Sequence, residues 1–106
     1  MDIIKTSEDT FEEEVLQASL PVLVDFTAPW CGPCKMLDPV VKDLAQDWDG
    51  QVKVVKLDVD DHPKIAMHYQ VMGVPTLMLF KNGQPVERAT GYQPKDRLSK
   101  QFSAHL

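Results

Sequence analysis

The run Val22-Leu23-Val24-Asp25-Phe26-Thr27 is apolar almost without interruption, and within a few residues it leads into a long helical pattern. A strand that is apolar on both alternating faces has to be covered on both, and in α/β proteins helices supply that cover. Ala28-Pro29-Trp30 reads as a turn. Behind it Cys34, Leu37, Val41, Leu44, Ala45 and Trp48 recur at steps of three or four, with Gly50 where a C-terminal cap belongs. Pro39 falls inside this helix and predicts a kink there.

The other elements follow from similar signals. Ile3 and Ile4 seed a short first strand, and Thr10-Phe11-Glu12-Glu13 has the form of a capping box. Phe11, Val15 and Leu16 give the ensuing short helix an apolar side, and Leu20-Pro21 stops it. Val52 to Val59 predicts a second strong strand ending in the acidic turn Asp58-Val59-Asp60-Asp61. Pro63 suits the first turn of a helix running to about Tyr69. Thr76 to Lys81 and Val86 to Thr90 flank Asn82-Gly83, a short hairpin signal. A last helix places Leu98, Phe102 and Leu106 on one side. The order is βαβαβαββα: a single α/β domain over residues 1–106, with a central mixed sheet between helical layers.

Composition narrows the function. A net charge of −5 argues against nucleic acid, whose phosphates need a basic patch. Met1-Asp2-Ile3-Ile4-Lys5 lacks the basic and apolar regions of a signal peptide. Pro21-Val22-Leu23-Val24 is far too short to span a bilayer. These features predict a cytoplasmic protein that works away from membranes. Two cysteines, two residues apart, then point to a catalytic, redox-sensing or metal-binding pair rather than a secreted disulfide scaffold.

The strand-to-helix junction puts Cys31 at a helix start and Cys34 one turn inside. Free backbone N–H groups and the positive end of the helix dipole favour a thiolate at Cys31. Pro33 fixes φ in the first turn and helps hold the sulfurs at bonding distance. Cys31 then attacks a substrate disulfide, and Cys34, expected to be the more buried, resolves the mixed disulfide. Three other readings stand beside this one. A structural disulfide closing so short a loop contributes only about 2 kcal/mol. Zinc needs four ligands, and His62, His68 and His105 have no metal-finger spacing, so no metal is expected. Inert core cysteines do not belong at a helix N-terminus.

The segment from Val22 through Lys35, with Trp30-Cys31-Gly32-Pro33-Cys34 at its centre, resembles the active-site segment of the thioredoxin family. The resemblance extends to Lys56-Leu57-Asp58-Val59-Asp60, Gly73-Val74-Pro75-Thr76 and Phe80-Lys81-Asn82-Gly83. It implies a thioredoxin-like three-layer fold and a monomeric protein-disulfide reductase with no cofactor beyond the redox pair. Its partners would be protein disulfides and an NADPH-dependent flavoprotein reductase. A module of this fold that grips a partner without turnover is the competing reading, though it would need neither a proton acceptor nor a resolving thiol.

Asp25 shares a strand face with Leu23 and Thr27, so it is either a solvated carboxylate or, if helices cover that face, a buried one. A buried carboxylate has a raised pKa and can exchange a proton with a thiol. The resemblance assigns Asp25 to deprotonating Cys34 and makes Lys56 its partner; by spacing alone Lys56 passes for a surface lysine. An X–Pro bond is ordinarily trans, but the resemblance implies a cis bond at Pro75, facing the cysteines and leaving the Val74 backbone to pair with an extended substrate. Trp30 is either ordinary core or, beside a reactive thiol, the roof of a docking surface with Gly32, Pro33, Val74, Pro75 and Gly91. Met67, Met72 and Met78 read as gap-filling or surface residues. Two positions depart from the family pattern: Thr27 stands where tryptophan is common, and Tyr92 where a small residue follows the glycine. Tyr92 either borders the docking groove or folds back over Leu98.

Overall fold

The computed structural model describes residues 3–106. In chain order it contains β1 (Ile4–Lys5), a short helical segment (Glu12–Leu16), β2 (Val22–Thr27), α1 (Gly32–Asp47), β3 (Lys53–Asp58), α2 (Pro63–His68), β4 (Thr76–Lys81), β5 (Gln84–Thr90) and α3 (Lys95–Ser103). The five strands form one sheet ordered β1-β3-β2-β4-β5. β1, β3 and β2 run parallel, while β4 is antiparallel to β2 and β5 to β4. The expected element order and mixed sheet are both present.

β2 lies at the centre, and its alternation divides the core. Leu23, with Leu77 and Leu79, packs on the side of Leu37, Val41 and Leu44 from α1 and Leu98 and Phe102 from α3. Val22, Val24 and Phe26 join Phe80, Phe11, Val15 and Ala66 on the other side. This two-sided burial accounts for the near-continuous apolar run. The Asn82-Gly83 turn has both residues at positive φ, as the hairpin signal requires, and a Cβ on Gly83 would meet the Leu16 carbonyl at 3.0 Å.

Four details differ from the sequence expectations. The capping box forms one turn earlier than expected. Ser7 Oγ accepts from the Thr10 N–H at 3.3 Å, and Thr10 Oγ1 accepts from the Ser7 N–H at 3.0 Å. Phe11 is already helical, so Thr10 lies inside the turn that Ser7 caps, and Glu13 takes no part. The segment then widens, with the Gln17 N–H reaching back five residues to the Glu12 carbonyl. β5 starts at Gln84 rather than Val86 and includes Pro85, which an edge strand with a bulge opposite it tolerates. The proline expected inside α1 is accommodated: the helix runs as one element across Pro39, whose ring leaves the Lys35 carbonyl without its usual donor.

The fourth difference is Leu106, which is exposed rather than packed beside Phe102. α3 ends at Ser103, and the N–H groups of His105 and Leu106 close tight turns onto Phe102 and Ser103. Lys81 Nζ donates to the His105 carbonyl and His105 Nε2 sits 2.9 Å from Glu87, which holds this tail along the sheet edge. None of the described helices is long and apolar enough to cross a membrane.

Candidate active site

Cys31 and Cys34 are joined in a disulfide, with their Cα atoms 5.3 Å apart. Cys31 is the N-cap of α1 in extended backbone, and Pro33 occupies the first helical turn. The Cys34 N–H, one of the donors a helix start leaves unpaired, points at Cys31 Sγ at 3.2 Å. That N–H and the helix dipole stabilise negative charge on Cys31 when the bond is opened. The two cysteines are equally buried, each 3% exposed, so burial does not rank them as expected. Position does: Cys31 Sγ lies 3.7 Å from the Val74 carbonyl and follows directly on Trp30, a residue 69% exposed.

Asp25 is 2% exposed on the side of β2 facing α1. Its Oδ1 has no hydrogen-bond partner among the described residues. Burial, the largest influence, pushes its pKa from 3.8 up to about 7; the Lys56 ammonium pulls it down and the Asp38 carboxylate pushes it further up. Lys56 is the register partner of Asp25 on β3. Its ammonium nevertheless pairs with Asp38 Oδ1 at 2.9 Å, a contact held by charge without the angles of a hydrogen bond. Beside this pair opens a cleft of about 320 Å³ whose walls include Thr27, Cys34, Asp38 and Lys56.

On the other side of the disulfide, Val74-Pro75 is a cis peptide, in line with the resemblance and against the ordinary trans preference. The Gly91 N–H bonds the Pro75 carbonyl at 2.8 Å and Thr76 Oγ1 bonds the Gly73 carbonyl at 2.7 Å, tying the loop to β5 and β4. Gly32, Pro33, Trp30 and Tyr92 are exposed around this junction, and Pro75 is buried beneath it. Trp30 is therefore not a core residue. Its Nε1 donates to Asp60 Oδ2 at 2.7 Å, which fixes the ring over the acidic turn.

Comparison with known proteins decides the family. A model of the thioredoxin family matches residues 2–104. Thioredoxin 1 of Nostoc sp. is 48% identical over 102 residues, which is 96% of this chain and 95% of that protein. Thioredoxin 1 of Synechococcus elongatus is 50% identical over 94% of each chain, and a Staphylococcus aureus thioredoxin 47% identical over the whole of both. The chain belongs to the thioredoxin family. It has that family's fold and acts as a thiol–disulfide oxidoreductase through Cys31 and Cys34, on disulfide substrates and with a reductase as electron donor. Thioredoxins need no cofactor beyond the redox disulfide.

Two polar residues at this thioredoxin site were not singled out from sequence. Asp60 tethers Trp30, and Asp38 takes the lysine that the family pattern gives to Asp25. Asp38 left a trace in the sequence: it stands four residues after Cys34, on the apolar side of α1 beside Leu37 and Val41, where a carboxylate is out of place. Of the three methionines, Met78 fills the core, while Met67 and Met72 are exposed.

Proposed function

We propose that this thioredoxin is a monomeric, single-domain protein-disulfide reductase of the cytoplasm, recharged by an NADPH-dependent thioredoxin reductase. In the reduced protein the Cys31 thiolate attacks a substrate disulfide; a Cys31–substrate bond forms and the other substrate sulfur leaves as thiolate. Asp25 takes the proton of Cys34, whose thiolate attacks Cys31 Sγ. That releases the second substrate thiolate and leaves the protein oxidised by two electrons. Lys56 tunes Asp25. Trp30, Gly32, Pro33, Val74, Gly91 and Tyr92 form the docking surface, shaped from beneath by the buried Pro75, with the Val74 backbone pairing along an extended substrate segment.

The observation that carries this reading is Cys31 as N-cap of α1, its sulfur facing the Cys34 N–H on one side and the Val74 carbonyl on the other. A buried carboxylate on the adjoining strand supports the proton step. Helical cover on both faces of the sheet supports the monomer, and a reactive dithiol suits a reducing compartment. The test is reduction of insulin disulfides with NADPH and thioredoxin reductase. Cys31→Ser is expected to abolish turnover, whereas Cys34→Ser accumulates mixed disulfides that mass spectrometry detects. Adduct formation by the Cys31 variant and none by the Cys34 variant would reverse the two roles. Stoichiometric binding without turnover by the native protein would favour a binding module.

A further inference from the structure

We propose that Asp38 is a positioning residue for the proton transfer at Cys34: it holds the Lys56 ammonium in the cleft, away from Asp25, and so keeps Asp25 a usable base. The inference rests on the reading of Asp25 as proton acceptor for Cys34.

Three charged side chains converge here from three elements. Asp25 on β2 and Lys56 on β3 are register neighbours in adjacent parallel strands, close enough for a lysine to reach either carboxylate. Asp38 comes from α1, one turn beyond Cys34, onto the same side of the sheet. Offered two carboxylates, the ammonium sits 2.9 Å from Asp38, and Asp25 Oδ1 is left without a donor. The physical reason is hydration. The Asp38 side chain keeps about a third of its surface in water (34%), whereas Asp25 must lose its hydration to ionise. Lys56 therefore pairs with the carboxylate that stays hydrated.

The consequence falls on Cys34, which lines the same cleft as Asp38 and Lys56. Asp25 feels the Lys56 ammonium with the Asp38 carboxylate opposing it, and burial outweighs both, so it stays protonated until near neutral pH, the range in which a general base is best matched to its task. An uncharged residue at position 38 would release Lys56 onto Asp25 and remove a like charge. Both changes favour the ionised form, and an opposite charge at close range lowers a carboxyl pKa by one unit or more. The other charged groups on this cleft are Lys5, Lys35, Asp58, Asp61 and His62. Because a histidine ordinarily titrates in the same range, the measurement has to be read on Asp25 itself.

The experiment follows the side-chain carboxyl carbon of Asp25 by NMR from pH 4 to 10 in the oxidised protein, comparing wild type, Asp38→Asn and Asp38→Ala. Asp25→Asn identifies the resonance. The expected result is a fall of about one pH unit in the Asp25 midpoint in both Asp38 variants. A base made tenfold weaker should slow release of a Cys31-linked mixed disulfide by about threefold at pH 9, where Asp25 is ionised in every variant, and by less than about twofold at pH 7, where its larger ionised fraction offsets part of the loss. An unchanged midpoint overturns the proposal. So does a rise, which would mean that Lys56 leaves for solvent once Asp38 is gone. If Asp25→Asn abolishes the pH dependence of release while the Asp38 variants leave the midpoint in place, this inference alone falls. If Asp25→Asn leaves that dependence untouched, the acceptor reading falls and takes this inference with it.

Discussion

Replacing Asp25 by asparagine tests the burial of that carboxyl through folding itself. A carboxyl that titrates at 3.8 when unfolded and at about 7 when folded binds more protons in the native state between those values. Stability therefore falls as pH rises across that window, since the slope follows the protons bound by the unfolded state minus those bound by the native state. The contribution is fully present below about pH 3.8 and lost above about pH 7. At 1.36 kcal/mol per pH unit, the difference corresponds to about 4 kcal/mol, an upper figure because water entering the cleft would soften the desolvation. Asparagine keeps the shape and cannot ionise.

Asparagine also leaves a polar group poorly paired in the place of Oδ1, at a cost of about 1–3 kcal/mol that does not vary with pH. The diagnostic quantity is thus the pH dependence, not the offset. Urea unfolding of the oxidised proteins from pH 4 to 9 measures it. Asp25→Asn is expected to gain on wild type steadily with pH, by about 4 kcal/mol over the range, with most of the gain reached by pH 8. Parallel stability curves for the two proteins would refute the argument that Asp25 is a desolvated carboxyl in the folded protein.

Two further predictions concern the docking side. Arg88 on β5 donates through Nη1 to the Gln70 carbonyl at 2.9 Å and through Nη2 to the Tyr69 carbonyl, clamping the end of α2 just before the Met72-Gly73-Val74-Pro75 loop. Arg88→Ala is expected to speed amide exchange at Val71–Val74 about fivefold, equivalent to about 1 kcal/mol of local opening, with Arg88→Lys recovering part of it; unchanged exchange would refute the clamp. Tyr92 is 43% exposed beside Gly91. If it borders the groove, Tyr92→Ala lowers kcat/KM on protein disulfides by roughly 5- to 30-fold, the effect of a 1–2 kcal/mol contact, and spares a small disulfide; equal rates on several protein substrates would reassign it to helix cover.

The parts of this protein that are legible in its sequence are those fixed by local chemistry. The two-faced apolar run of β2, the 3.6-residue spacing of α1, Asn82-Gly83 and the Cys31–Cys34 spacing each constrain their neighbours within a few residues, and each reappears in the structure. Misplaced features are those in which two local solutions competed. Ser7 and Thr10 both carry hydroxyls able to cap the first helical segment, and the tie was settled by Phe11 entering the helix early to reach Tyr69 and Phe80 in the core. Leu106 fits the helical period but lies beyond the point where α3 stops, and period alone does not locate a stop when no glycine or proline marks it.

What no local pattern carries is the choice made by Lys56. Its alternatives, Asp25 and Asp38, lie 31 and 18 residues away in the chain and belong to different elements. Only the packing of α1 on the β2–β3 pair brings the three together, and only the difference in their hydration decides the outcome. A family resemblance points to Asp25 and Lys56 because both residues are present. It is silent on Asp38, an acidic side chain on the apolar side of a helix. Such a residue is costly where it stands unless a cation meets it, and the cation it meets has been drawn from the neighbouring carboxyl. If Asp25 serves Cys34 as proposed, its strength as a base then follows from a competition between two carboxylates that the fold creates, and is set as much by α1 as by the strand that carries Asp25.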